Sequence, residues 1–155
     1  MSERPLWAPW RIDYIVGQKG DGCVFCEPDP AHVVERGRYC FTILNAFPYA
    51  PGHVMVAPLR HIGGLEELDD DELLELMTLA RRVVKASRIA MSADGFNVGL
   101  NLGKVAGAGL ADHLHLHVVP RWEGDNSFMP VLADIRVLPQ ALEQTRAALV
   151  QALDG

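Results

Sequence analysis

Three of the six histidines in the chain, His113, His115 and His117, stand at every second position in ADHLHLHVVPRW (111–122). Neutral imidazole is a nucleophile near its ordinary pKa of about 6.5 and can carry a phosphoryl or nucleotidyl group. It is also a common metal ligand, and two rings on one face can share an ion. The alternative without chemistry is a row of solvated surface histidines. If the row is catalytic, one ring attacks, and the second histidine along would sit beside the reacting phosphorus and could donate to the leaving oxygen. Three like rings would also help keep the attacking one neutral, since a positive neighbour disfavours a second positive ring.

Two other stretches carry chemistry. Cys23-Val24-Phe25-Cys26 pairs two thiols at metal-ligand spacing. It lacks the strand–helix context of a redox Cys-x-x-Cys motif, because Glu27-Pro28-Asp29-Pro30 follows and disfavours a long helix. Buried inert thiols are the plainer alternative. The glycine-rich segment GKVAGAG (103–109), preceded by Asn101, could turn the amides of Gly107 and Gly109 towards an anion, or be a loose hairpin turn. Together with the histidines it favours a phosphate-bearing substrate.

The histidine row needs a strand. Side chains two apart share a face of a strand, whereas on a helix they diverge by about 200°. The alternation predicts a strand over 114–119, with Leu114, Leu116 and Val118 turned to a core and Pro120 at its end. Tyr39–Asn45 and His53–Pro58 read as a hairpin about the turn FPYAPG, and Phe96–Leu102 as a third strand. A fifth short strand is expected around Met129–Val131. Between them, Leu73, Leu76, Met77, Ala80, Val83 and Val84 recur at helical spacing. Asp69 to Asp71 supply the cap and acidic first turn, Gly95 the stop, and the charges read as a solvated face. Pro139 opens an amphipathic helix through Leu153, so 136–155 forms the C-terminal helical segment. Residues 1–22, with Trp7 and Trp10, are irregular. Runs of strands with two separate helices predict an α+β fold with an antiparallel sheet in one domain spanning 1–155.

Composition narrows the partners. With 49% hydrophobic residues, 22% charged and net charge −6, the chain is ordinary for a globular protein and has no basic footprint for a nucleic acid polymer. No apolar run reaches membrane-spanning length, and MSERPLWAPWR lacks a secretory core. Three cysteines without an export signal favour a reducing, cytoplasmic setting and metal binding over disulfides.

The stretch HLHLHVV (113–119) resembles the motif of the histidine triad (HIT) superfamily, His-φ-His-φ-His-φ-φ, where φ is apolar. LNAFPYAPGHVMVAPLRHI (44–62) is similar to that family's nucleotide-binding hairpin, and GFNVGLNLGKVAGAGLADH (95–113) to the segment leading to its triad. The resemblance covers roughly residues 20–135. It implies an antiparallel sheet of about five strands, with a long helix and a C-terminal helix, in a homodimer. The implied activity is hydrolysis or transfer at the α-phosphorus of nucleotides. It makes His115 the nucleophile that forms a nucleotidyl-histidine intermediate and His117 the residue assisting the leaving group. Asn45 would hold the ribose hydroxyls and Asn101 would contact phosphate. Phe41 and Leu44 would line the base pocket or serve the core. In some members a Cys-x-x-Cys pair is half of a structural zinc site. The corresponding ligands here would be Cys23, Cys26, His61 and His113, with no organic cofactor. VPRWEGDNSFMPVLAD (119–134) resembles the fragile-histidine-triad-like and diadenosine tetraphosphate phosphorylase-like bacterial branch. Trp122 would stack on a second base or form a rim or dimer contact. The implied substrate is a dinucleoside polyphosphate. Alternatives are nucleoside phosphoramidate or adenylyl sulfate hydrolysis, and a nucleotide-binding regulatory protein with incidental turnover.

Overall fold

The computed structural model describes residues 22–125 and 141–155. Five strands occur in chain order: β1 (Val33–Arg36), β2 (Cys40–Leu44), β3 (Val54–Pro58), β4 (Gly95–Leu100) and β5 (Leu116–Arg121). They form one antiparallel sheet in the order β1-β2-β3-β5-β4. Helix α1 (Asp70–Met91) joins β3 to β4, and α2 (Leu142–Asp154) packs on α1 and β1. The α+β architecture agrees with the sequence reading. The fifth strand is β1, a segment to which the sequence reading assigned no element, while Met129–Val131 lies outside the described residues, as do Trp7 and Trp10.

The sheet is two-faced because each strand alternates. Cys40 and Leu44 of β2, Val54 and Val56 of β3, and Leu116 and Val118 of β5 bury against Leu76, Leu79, Ala80 and Val83 of α1. Phe41 and Ile43 of β2 and Ala57 of β3 turn the other way and pack with Phe25 and Val33. Leu44, expected in the base pocket or in the core, belongs to the helix-side core, and period-two geometry keeps it there.

Helix α1 begins where expected, with the Asp69 N–H donating to Glu72 Oε2 at 2.8 Å. It ends earlier than expected, at Met91, because Ser92 takes the left-handed conformation (φ 51) and Gly95 already starts β4. Its charges are not all solvated. Glu72 is buried, and Glu75 accepts the backbone N–H groups of Arg38, Tyr39 and Cys40, fixing the β1–β2 turn. Met77, assigned to the apolar stripe, is exposed. The expected start of the last helix at Pro139 also lies outside the described residues, within which α2 begins at Leu142.

Strand β5 starts two residues later than the alternation suggests and runs past Pro120. Asp94 N–H, just before β4, donates to the Arg121 carbonyl (2.9 Å), so Pro120, one residue back, points its nitrogen to the β3 side. There the ladder has ended at the Val54–Val118 pair, so no bond is lost. Leu76→Ala should cost roughly 2–5 kcal/mol in urea unfolding. Met77→Ala should stay within about 0.5 kcal/mol, although both residues carry the helical period.

Candidate functional site

The face opposite α1 carries the histidines. His117 pairs in register with Met55 on β3 and with Gly99 on β4. His115 and His113 precede β5, where the chain leaves the ladder while Leu114 N–H donates to the Ile62 carbonyl at 2.7 Å. That bond carries His113 away from the sheet centre, towards Cys23 and Cys26.

His113 is fully buried, and its Nε2–H donates to the Pro58 carbonyl at 2.9 Å, so its Nδ1 lone pair looks outward. Cys23 Sγ lies 3.2 Å and Cys26 Sγ 3.6 Å from that nitrogen. His61 Nδ1 is 3.1 Å from it and 3.2 Å from Cys26 Sγ. All four ligand atoms lie within 4.8 Å of one another. A tetrahedral zinc with ordinary bond lengths would space nitrogen and sulfur donors roughly 3.3–3.8 Å apart, close to this arrangement. His61 Nε2 faces Asp112 Oδ2 at 3.3 Å, the carboxylate partner that metal-bound imidazoles commonly take. With both outer nitrogens so engaged, two Nδ1 lone pairs converge with two thiols, an arrangement that a cation between them would relieve. The residues present fit a closed Cys₂His₂ site.

Two local features bring His61 there. Arg60 forms a two-point ion pair with the buried Glu72, both contacts 2.7 Å, and its Nη2–H donates to the Glu67 carbonyl at 3.0 Å. The guanidinium holds the Glu72 carboxyl below its ordinary range, against the opposing effect of burial. Gly63 lets the loop lie on the histidine segment, since a Cβ there would stand 2.6 Å from the Ala111 carbonyl oxygen.

His115 is buried and its Nδ1–H donates to the main-chain carbonyl of His113 at 2.9 Å. That assigns the lone pair to Nε2. Burial pushes its pKa down, against the raising effect of the bond to the His113 carbonyl, so desolvation favours the neutral ring. The His117 ring stands edge-on to it, centroids 4.9 Å apart.

His53, which sequence reasoning missed, completes the group. The Tyr49 N–H donates to His53 Nδ1 at 3.1 Å, so the His53 proton sits on Nε2 and points at His117 Nδ1, 2.9 Å away. His117 in turn carries its proton on Nε2. One signal was available: His53 follows the FPYAPG turn and shares strand parity with Met55, the partner of His117.

Other expected residues divide. Phe41 is buried on the site face beside Phe25, and Asn45 is on the same face with its Nδ2 3.8 Å from Met55 Sδ. Asn45 Oδ1 accepts the Phe47 N–H at 2.9 Å. Asn101, Gly107 and Gly109 lie on an exposed loop. The Gly107 N–H closes a short turn on the Lys104 carbonyl (3.0 Å) and so is not turned towards an anion. Trp122 follows β5 with helix-face parity, and its indole N–H donates to the Met91 carbonyl at 3.0 Å. It ties β5 to the end of α1, on the helix side of the strand. Among the described residues, no helix is long and apolar enough to cross a membrane.

The fold and the site define a class: an antiparallel α+β sheet presenting a histidine row and a fourth histidine beside a Cys₂His₂ cluster. A family profile described as the HIT domain matches residues 27–124, and the chain belongs to that family. The AP-4-A phosphorylase of Mycobacterium tuberculosis is 39% identical over 158 residues, covering 93% of this chain and 81% of that one. An asymmetrical bis(5'-nucleosyl)-tetraphosphatase of Schizosaccharomyces pombe is 34% identical over 100 residues, 64% of this chain and 54% of that one. A zinc-bound histidine triad family protein from Mycobacterium smegmatis superimposes with TM-score 0.71 at 30% identity, covering 86% of this chain and 94% of that one.

At neutral pH, long-range ¹H–¹⁵N spectra should show His115 as the Nδ1–H tautomer and His117 as the Nε2–H tautomer. His53→Ala should release the His117 preference and leave that of His115 in place.

Proposed function

We propose that the chain cleaves dinucleoside polyphosphates at an α-phosphorus through a covalent nucleotidyl group on His115. The observation that carries this reading is the His115 Nδ1–H bond to the His113 carbonyl, which leaves Nε2 as the attacking atom. The two relatives named for AP-4-A and for bis(5'-nucleosyl) tetraphosphate chemistry supply the substrate class. Nε2 attacks phosphorus, the bond to the bridging oxygen breaks, and the departing polyphosphate takes the electron pair. His117 offers its Nε2–H to that oxygen. As the His115 ring becomes cationic, the His113 carbonyl stabilises the charge through Nδ1–H. An acceptor then attacks the nucleotidyl-histidine and restores the free ring. Inorganic phosphate as acceptor follows the 39%-identical relative, and water follows the tetraphosphatase. On this reading Asn45 and Phe41 meet the nucleoside, since both belong to the histidine face.

The metal of the Cys₂His₂ group is read as one structural zinc per chain, held by Cys23, Cys26, His61 and His113. The zinc-bound relative supports the ion, and the closed donor set leaves no position for substrate. The assembly is read as a homodimer, because β4 is a sheet edge with Val98 exposed.

His115→Ala should abolish turnover while nucleotide still binds, and rapid quench of the unaltered enzyme should trap an acid-labile, alkali-stable adduct on His115. Near-normal rates in His115→Ala would end the covalent reading. His117→Ala should lose about 10²–10⁴-fold in kcat. A nucleoside diphosphate appearing only when phosphate is supplied marks the phosphorylase. Elemental analysis should find one zinc per chain, and Cys23→Ala should lower thermal stability more than it lowers the rate per folded molecule.

A further inference from the structure

Phe25 sits between the two cysteines of the cluster, and its ring is buried. It does not simply fill the apolar layer. Its face lies on the His115 imidazole, with centroids 4.8 Å apart and planes inclined by 26°. The same ring touches His113 at 5.2 Å and Phe41 at 6.5 Å. A tight turn fixes its place, with the Cys26 and Glu27 N–H groups both donating to the Cys23 carbonyl at 3.1 Å.

The Nδ1–H bond to the His113 carbonyl anchors His115 at one atom. A single hydrogen bond leaves the ring able to tilt about that line, and tilting moves Nε2 on the far side. A flat aromatic face removes this freedom. Beside the edge contact from His117, two restraints on His115 come from the cluster: one from the main chain of His113, whose ring belongs to it, the other from the residue between its cysteines.

We propose that Phe25 is a positioning residue for His115, stacking on the imidazole and transmitting the order of the Cys₂His₂ group to the direction of Nε2. This rests on the reading of His115 as nucleophile. A residue that only filled space could be replaced by another apolar side chain, whereas a residue that aligns a ring cannot.

The test uses the metal-loaded enzyme with Phe25→Leu, Phe25→Tyr and His115→Ala in parallel. Metal content, kcat, KM, the rate of adduct formation and the ¹⁵N signals of His115 are measured. Phe25→Leu should keep its metal and a KM within about threefold, while kcat and adduct formation fall about 10- to 100-fold, the scale expected of a displaced reacting atom. Its His115 signals should shift or broaden while those of His53 hold. Phe25→Tyr, which keeps the flat ring, should recover most of the rate. Should Phe25→Leu lose its metal, Phe25→Met carries the same comparison. Unchanged kcat and unchanged His115 signals, with or without a raised KM, would overturn the proposal while an inactive His115→Ala keeps the nucleophile. An active His115→Ala would instead remove the nucleophile itself.

Discussion

His113 is the constraint on which the site depends, because one residue connects three structures. Its Nε2–H closes on the carbonyl that ends β3, its Nδ1 faces the two cysteines and His61, and its own carbonyl holds His115. These bonds lie where the sheet ladder has already stopped. Strand geometry alone would leave residues 113–115 to wander at that point. The buried ring replaces the missing ladder with side-chain bonds, and a buried imidazole left unpaired there would cost on the order of 1–3 kcal/mol. Replacing His113 thus disturbs the cluster, the end of β3 and the placement of His115 together, so the roles of the three triad histidines cannot be separated by a simple alanine series.

The two faces of the sheet divide the work. Aliphatic side chains on the α1 side form the larger core and set the register. The opposite face is thinner, built on Phe25, Val33, Phe41, Ile43 and Ala57, and it surrounds polar rings with apolar contacts. That surrounding pushes the His115 pKa down. Packing and chemistry are coupled there: the residues that bury the ring also keep its lone pair available at neutral pH.

Much of this was legible in the chain. The alternation around the triad, the hairpin about FPYAPG and the acidic start of α1 are local patterns, and local patterns survive into the fold. What stayed hidden depends on pairing between distant strands. β1 is four residues long and bulged, too short to show a period. His53 acquires its meaning only when β3 lies beside β5, across more than fifty intervening residues. Gly63 looks like an ordinary loop glycine until the 111–113 segment is laid against it. Residue type left two roles open for Leu44 and for Trp122, because their side of the sheet is fixed by packing on α1. The turn of Gly107 onto Lys104 likewise depends on backbone conformation that composition does not specify.

The direction of the His53–His117 bond bears on the kind of bond the site can break. A backbone N–H at Tyr49 fills Nδ1 of His53, so His53 can only donate towards His117, and His117 can only accept on that side. With Nδ1 committed, neutral His117 has one proton to offer, on Nε2. Giving that proton away completely would leave an imidazolate, which is too basic to persist near pH 7. In the role proposed for His117, the arrangement therefore suits a hydrogen bond to the leaving oxygen better than transfer of a full proton. A polyphosphate needs no more than that, since its terminal ionisation has a pKa of about 6 and it departs as an anion. An amine leaving from phosphorus needs the whole proton. On the proposed roles of His115 and His117, the tautomer fixed by Tyr49 and His53 thus suits a phosphoanhydride better than a phosphoramidate.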